Sequence, residues 1–346
     1  MVINRRQFLR SASLGSVAAL LGVSREATAA PAIVILDTRV ISRQPQYYHG
    51  WPTLARRRNG QLLLVYSGGR EQHVCPFGRV ELMASTDGGQ SWSWPQVLLD
   101  TRLDDRDAGV LETAKGSLLV TTFTSLAYEP ILQQAEQKKP GEAGAWPAER
   151  LSAWRAARDR LNAQQRRSEL GEWMIRSTDD GVNWSALYPT IVNSPHGPIQ
   201  LADGRLLYAG KELWTERRRV VVCESRDDGQ TWQWLAEIAA RPDDDPKLYC
   251  EPHAVETGDG KVLVWPIQAG RNVLWTFPGA RCRASRLTSR TMSGFTRAPT
   301  RPSMSMRLTA INGMAGARKT PTASRIISAL MCVMKTTPLC ELCFTP

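Results

Sequence analysis

The chain carries one eight-residue pattern three times, Ser-x-Asp-x-Gly-x-x-Trp: STDGGQSW (Ser85 to Trp92), STDDGVNW (Ser177 to Trp184) and SRDDGQTW (Ser225 to Trp232). The aspartates fall at Asp87, Asp179 and Asp227, so the gaps are 92 and 48 residues, the first close to two of the second. A recurring period of this size implies stacked units that bury one another's apolar faces. Asp-x-Gly is turn chemistry, because the carboxylate accepts backbone N–H bonds and the glycine tolerates positive φ. Trp92, Trp184 and Trp232 each supply a large apolar body to pack beside the turn. The alternating segments ELMAS, EWMIRS and VVVCES come just before the three copies, so each copy closes a strand–turn–strand corner.

A second repeat runs in step with the first. HGWPTLARRRNGQLLLVY (from His49), RDAGVLETAKGSLLVTTF (from Arg106), HGPIQLADGRLLYAG (from His196) and EPHAVETGDGKVLVW (from Glu251) share a polar start, a turn glycine (Gly60, Gly116, Gly204, Gly260) and an apolar run. Each predicts a hairpin of two strands. Turn glycine and pattern aspartate are 27 residues apart in the first unit and 23 in the third, but 63 in the second. The excess predicts an insertion at about 127–170. There Pro147, Glu149 and the one-sided set Leu151, Trp154, Ala157 and Leu161 read as helix.

The totals change meaning once the chain is divided. Residues 1–29 hold Arg5-Arg6, Phe8-Leu9, a short apolar run and the small-residue site Ala27-Thr28-Ala29. This predicts an export signal of the twin-arginine type, with a general secretory signal as the alternative. The expected location is periplasmic or secreted, the expected partner of this segment is the twin-arginine export machinery, and no other apolar run reaches membrane-spanning length. Of the formal charge of +11, all is matched by residues 269–346, which carry 12 basic side chains and one acidic. The repeat region, 30–268, is slightly acidic and carries no nucleic-acid footprint. Cys75, Cys223 and Cys250 are too few for a disulfide framework, although Cys223 and Cys250 are available to pair. Cys340-x-x-Cys343 lacks the second pair of a zinc site. In 269–346 alternation stops and aspartate is absent. That tail reads as a disordered basic extension, a separate module or an out-of-frame translation, and the stop in mid-unit favours the last.

The Ser-x-Asp-x-Gly-x-x-Trp copies resemble the Asp-box, or BNR repeat, of the sialidase superfamily, over about Gln46 to Trp265. The resemblance implies an all-β fold: a β-propeller of four-stranded blades, six in the parent family and about four recognisable here, with the helical insertion in blade 2. Asp87, Trp92, Asp179, Trp184, Asp227 and Trp232 are then structural, on the outer hairpin of each blade. The same strand arrangement gathers His49, Trp51, Arg106, Asp107, His196, Glu251 and His253 at one face, joined by Arg70, Glu71 and His73 from the loop after the second strand. A pocket of Arg, Asp, Glu and His suits an anionic or hydroxylated ligand. YSGGR (Tyr66 to Arg70) looks like the family segment whose arginine binds the substrate carboxylate, and Glu251 looks like its glutamate that polarises a tyrosine nucleophile. His49-Gly50-Trp51-Pro52 replaces the family's Arg-Ile-Pro, the acid/base aspartate after Arg70 is absent, and no tyrosine follows Tyr249. The expectation is hydrolysis of a terminal sialic or similar acidic sugar. In it Arg70 binds the carboxylate, Glu251 polarises the nucleophile, Glu71, His73 or Asp107 moves the proton, and His49, Trp51, Arg106, His196 and His253 contact the ligand. The alternative is a non-catalytic carbohydrate-binding propeller. No cofactor is expected, and no H-x-H or HExxH spacing points to a metal.

Overall fold

The computed structural model describes residues 34–42, 44–241, 244–268, 271–277, 288–291 and 307–312. The export-signal reading of 1–29 and most of the tail lie outside the described residues. β1 (Val34–Val40) pairs with a strand at Arg307–Asn312 in a two-stranded sheet. The other described strands form four antiparallel sheets, each of four strands in chain order. Blade 1 is β2 (Tyr48–Arg56), β3 (Leu62–Arg70), β4 (Arg79–Ser85) and β5 (Gln96–Leu99). Blade 2 opens with β6 (Asp104–Glu112) and β7 (Leu118–Ser125), then inserts α1 (Glu129–Glu136), α2 (Ala148–Arg158) and α3 (Ala163–Ser168) before β8 (Glu172–Ser177) and β9 (Tyr188–Pro189). Blade 3 is β10 (Ile199–Gln200), β11 (Leu206–Lys211), β12 (Val220–Ser225) and β13 (Gln233–Glu237). Blade 4 is β14 (Tyr249–Glu256), β15 (Val262–Gln268), β16 (Arg271–Phe277) and β17 (Thr288–Thr291). The chain is a β-propeller, and each Asp-box turn joins the third and fourth strands of its blade.

The boundary placed at residue 268 falls inside blade 4. Val262–Gln268 pairs antiparallel with Arg271–Phe277, which pairs in turn with Thr288–Thr291. RNVLWTF carries the β-branched and aromatic residues of a strand, a signal that the loss of the box pattern conceals. Cys75 and Cys223 are free, buried thiols, so the Cys223–Cys250 disulfide is not made.

Alternation along the strands builds the core between blades. Leu63, Val65 and Val80 of blade 1 meet Ala108, Val110, Leu118, Val120 and Ile175 of blade 2. Leu119 and Met174 of blade 2 meet Leu206 of blade 3. Leu207, Ala209, Val220 and Val222 of blade 3 meet Ala254, Val262 and Val264 of blade 4. Each such Leu, Ile, Val or Met side chain taken from water contributes about 1.5–3 kcal/mol. In the insertion, Trp154 is fully buried with Tyr128 and Leu132 against Val74 and Cys75 of the blade 1 loop.

Polar contacts repeat across the same seams. The residue four before each turn glycine reaches back to the backbone N–H two before the preceding blade's turn glycine. Glu112 accepts from Arg58 (2.7 Å), Gln200 from Ala114 (2.5 Å) and Glu256 from Ala202 (2.7 Å). The central residue of the box does likewise. Asp180 pairs with Arg57 of blade 1, and Asp228 accepts from Arg176 (2.5 Å) and Ser117 (2.6 Å) of blade 2. Asp180 and Asp228 hold φ of 63° and 64°, a left-handed turn position that aspartate tolerates.

Candidate functional site at the inner strands

Blades 1, 2 and 4 start their first strands with the same local irregularity. Nine residues before Gly60, Gly116 and Gly260 stand Trp51, Asp107 and Glu251, with φ of 47°, 53° and 50°. Each lies in a register shift of its strand, between Gly50 and Thr53, Arg106 and Gly109, and Cys250 and His253. A bulge turns one side chain out of the pleat, and a non-glycine residue held in the left-handed region costs about 1–3 kcal/mol. The fold therefore directs one aromatic and two carboxylic side chains from equivalent places on three blades.

Around Trp51 the charges converge. The Arg106 guanidinium stands 4.5 Å from the Trp51 ring centre and 5.8 Å from that of Phe123, and the Arg70 guanidinium stands 5.3 Å from Trp51. The His73 ring is 4.9 Å from Trp51, and its Nδ1 shares a 3.1 Å hydrogen bond with the Tyr48 hydroxyl. Burial, reinforced by Arg106 and Arg70, holds His73 down to about 3, so it is neutral. Burial raises the Tyr48 phenol, and Arg70, Arg106, Asp107 and Glu251 all act on it electrostatically. Tyr48 thus joins the site, although the sequence reading passed over it. Its position just before His49 is the signal that was available.

Asp107 is pushed up to about 6 by burial, against the pull of Arg106 and Arg70. Its Oδ1 and the Nε of Arg106 are buried without a hydrogen-bond partner among the described residues. Buried polar atoms of this kind are rare and mark places where a partner is to be expected.

The expected role of Arg70 meets a different geometry. Its side chain is fully buried, and both terminal nitrogens grip Asp104 (2.6 and 3.1 Å) as well as Ser67 Oγ and the His73 carbonyl. A guanidinium whose fork is filled by an internal carboxylate has both terminal nitrogens engaged within the protein. Asp104, at the start of β6, is the partner that sequence spacing did not reveal. Glu71 also points elsewhere: it accepts from Trp154 Nε1 (2.8 Å) and pairs with Arg150, pinning the insertion to blade 1. It lines a cleft of about 420 Å³ with Arg79, Asp100, Arg160, Tyr47 and Phe77. That cleft holds none of Arg70, Arg106 and Asp107, so the unpartnered buried groups, not the cavity, mark the candidate site.

The histidines divide. His49 bonds Ser42 (3.0 Å) and stacks edge-on to Tyr66, with its pKa lowered by burial and partly restored by Glu81. His196 and His253 face each other at 4.8 Å, with His253 also edge-on to Trp265. Burial holds them to about 3 and about 4, with His253 adding to the effect on His196. Among the described residues no group of three His, Cys, Asp or Glu side chains could hold a metal ion, and no helix is long and apolar enough to cross a membrane.

The box residues stay at the turns. Asp87 accepts from Ser85, Gln90 and Ser91, and Trp92 Nε1 donates to the Gly89 carbonyl (3.1 Å). Asp179 and Asp227 repeat the arrangement with Asn183 and Thr231, and Trp184 repeats that of Trp92. Trp232 packs on Tyr208 instead, its Nε1 buried without a partner among the described residues.

No family model matches the chain, and no curated protein matches its sequence. Among solved structures, a protein of unknown function from Dyadobacter fermentans is similar at a TM-score of 0.58 and 19% identity, over 82% of this chain and 80% of that one. The Hadza microbial sialidase Hz136 gives 0.47 and 18%, over 66% and 44%. A leech intramolecular trans-sialidase complexed with 2,7-anhydro-Neu5Ac gives 0.49 and 12%, over 75% and 53%. The chain spans about half the length of these two sialidases. At such identities the likeness to the Dyadobacter protein speaks for the propeller fold alone, and the two weaker ones carry no weight.

Proposed function

We propose that the chain is a glycosidase-like propeller that hydrolyses a terminal acidic sugar, of the sialic acid kind, at the inner-strand site. The observation that carries the reading is Asp107: a carboxyl held near 6 with an unpartnered oxygen, beside an arginine with an unpartnered nitrogen. Arg106, over the Trp51 ring, takes the sugar carboxylate, the role that Arg70 cannot fill while it holds Asp104. Asp107 gives its proton to the glycosidic oxygen as that bond breaks. Tyr48 supplies the phenol that attacks the anomeric carbon. Because burial raises that phenol, a base must take its proton; of the two carboxylates that act on it, Asp107 and Glu251, Glu251 takes that part. Water then releases the sugar with retained configuration, Asp107 returning as the base. The test is hydrolysis of a 4-methylumbelliferyl sialoside, with the first product's anomer read by NMR. Retention in wild type and loss of turnover in Tyr48→Phe and Asp107→Asn support the assignment, and turnover that survives Asp107→Asn removes it.

A second reading, binding without turnover, draws on the filled fork of Arg70. Binding of a sialylated glycan by a wild-type chain that does not hydrolyse it would favour that reading.

A further inference from the structure

A line of aromatic side chains leaves the site on the side of blade 3. Arg106 stands 5.8 Å from the centre of Phe123, and Phe123 stands 6.3 Å from the centre of Trp214. Phe123 is nearly covered, but Trp214 is 37% exposed, a large indole surface left to solvent. It sits on the loop between β11 and β12, which is held in place on several sides. The half-buried Glu172, the first residue of β8 and the cross-strand partner of Phe123, accepts the Leu213 N–H at 2.6 Å. Glu212 grips Arg219 across the loop through two hydrogen bonds of 2.8 and 3.0 Å and accepts from Thr215. Leu213 is buried, so the loop turns its aliphatic residue inward and its indole outward.

We infer that Trp214 is the stacking platform for the neutral sugar ring to which the acidic sugar is joined. The inference rests on the reading given above and adds the chemistry of the leaving group. Each step of the line is roughly the span of one pyranose ring. An indole on a pinned loop offers its π-face to the C–H face of a sugar at little entropic cost, as rigid aromatic contacts do. A platform at this place makes an oligosaccharide a better ligand than the acidic sugar alone.

The test compares N-acetylneuraminic acid with 3′-sialyllactose by calorimetry, in an Asp107→Asn background so that the trisaccharide is not consumed. Trp214→Ala should weaken trisaccharide binding about tenfold, leave the monosaccharide unchanged and keep the thermal midpoint, while Trp214→Phe restores most of the loss. An unchanged ratio between the two ligands, or an equal loss for both, overturns the role of Trp214 while leaving the acidic-sugar site standing. Failure of the background protein to bind either ligand overturns both.

Discussion

At the scale of the residue, Asp107 joins two costs that a packed fold ordinarily avoids, a left-handed backbone and a carboxyl with an unpartnered buried oxygen. Its pKa of about 6 stands above the ordinary 3.8, so the folded chain holds this proton more tightly than the unfolded one. Its contribution to stability is therefore complete below about 3.8 and is lost as pH rises through 6. As the proton donor it is active in the protonated form, so kcat/KM on the aryl sialoside should fall as pH rises through about 6. Asparagine keeps the left-handed conformation and removes the charge. Asp107→Asn should stabilise the protein at pH 7 by about 1–3 kcal/mol in urea unfolding, while lowering turnover by about 100-fold or more. A variant that loses activity and stability together would point to a packing role. Arg70→Lys is expected to destabilise, because a single ammonium cannot reproduce the forked contact with Asp104.

At the scale of the element, the blade seams are where the repeat becomes a structure. Arg176 and Asp228 lie on neighbouring blades and are both largely buried. Removing one partner of such a pair strands the other, so Asp228→Ala should lower stability by about 2–4 kcal/mol, measured by thermal or urea unfolding. Asp180, which meets Arg57 while 76% exposed, should matter much less. The insertion behaves as a small helical layer with its own core. Trp154→Ala empties the centre of that core and releases Glu71. About 3–5 kcal/mol should be lost from that layer, read as faster hydrogen exchange in α1 and α2, with the blade strands unaffected.

At the scale of the whole molecule, three histidines contribute to the response to acid. His73, His196 and His253 are held to about 3, about 3 and about 4, well below the ordinary 6.5. Depressed values mean that the unfolded chain binds these protons more readily, so the stability they confer is complete above 6.5 and is lost as pH falls toward 3 to 4. The urea midpoint should therefore drop between pH 7 and pH 4, and His196→Gln should flatten that slope. Asp107 and the raised phenol of Tyr48 work in the opposite direction, each holding its proton more tightly in the folded chain. The architecture behind this was legible in the chain, because Asp-x-Gly turns, box tryptophans and turn glycines act within eight to twenty residues of sequence and alternation reports which face is buried. The insertion was legible for the same reason, its helix being a local pattern. Other features rest on partners far apart in sequence. Arg70 and Asp104 are 34 residues apart, Ser117 and Asp228 are 111 apart, and the phenol of Tyr48 feels the charge of Glu251 from the opposite end of the repeats. Spacing within a blade placed the candidate residues at one face but not their partners. Sequence by itself thus determined the units and their turns, through local backbone preference and hydrophobic period. Tertiary structure alone decided which arginine is consumed by an ion pair and which carboxyl has its pKa raised, because both depend on burial and on charges that only packing brings together.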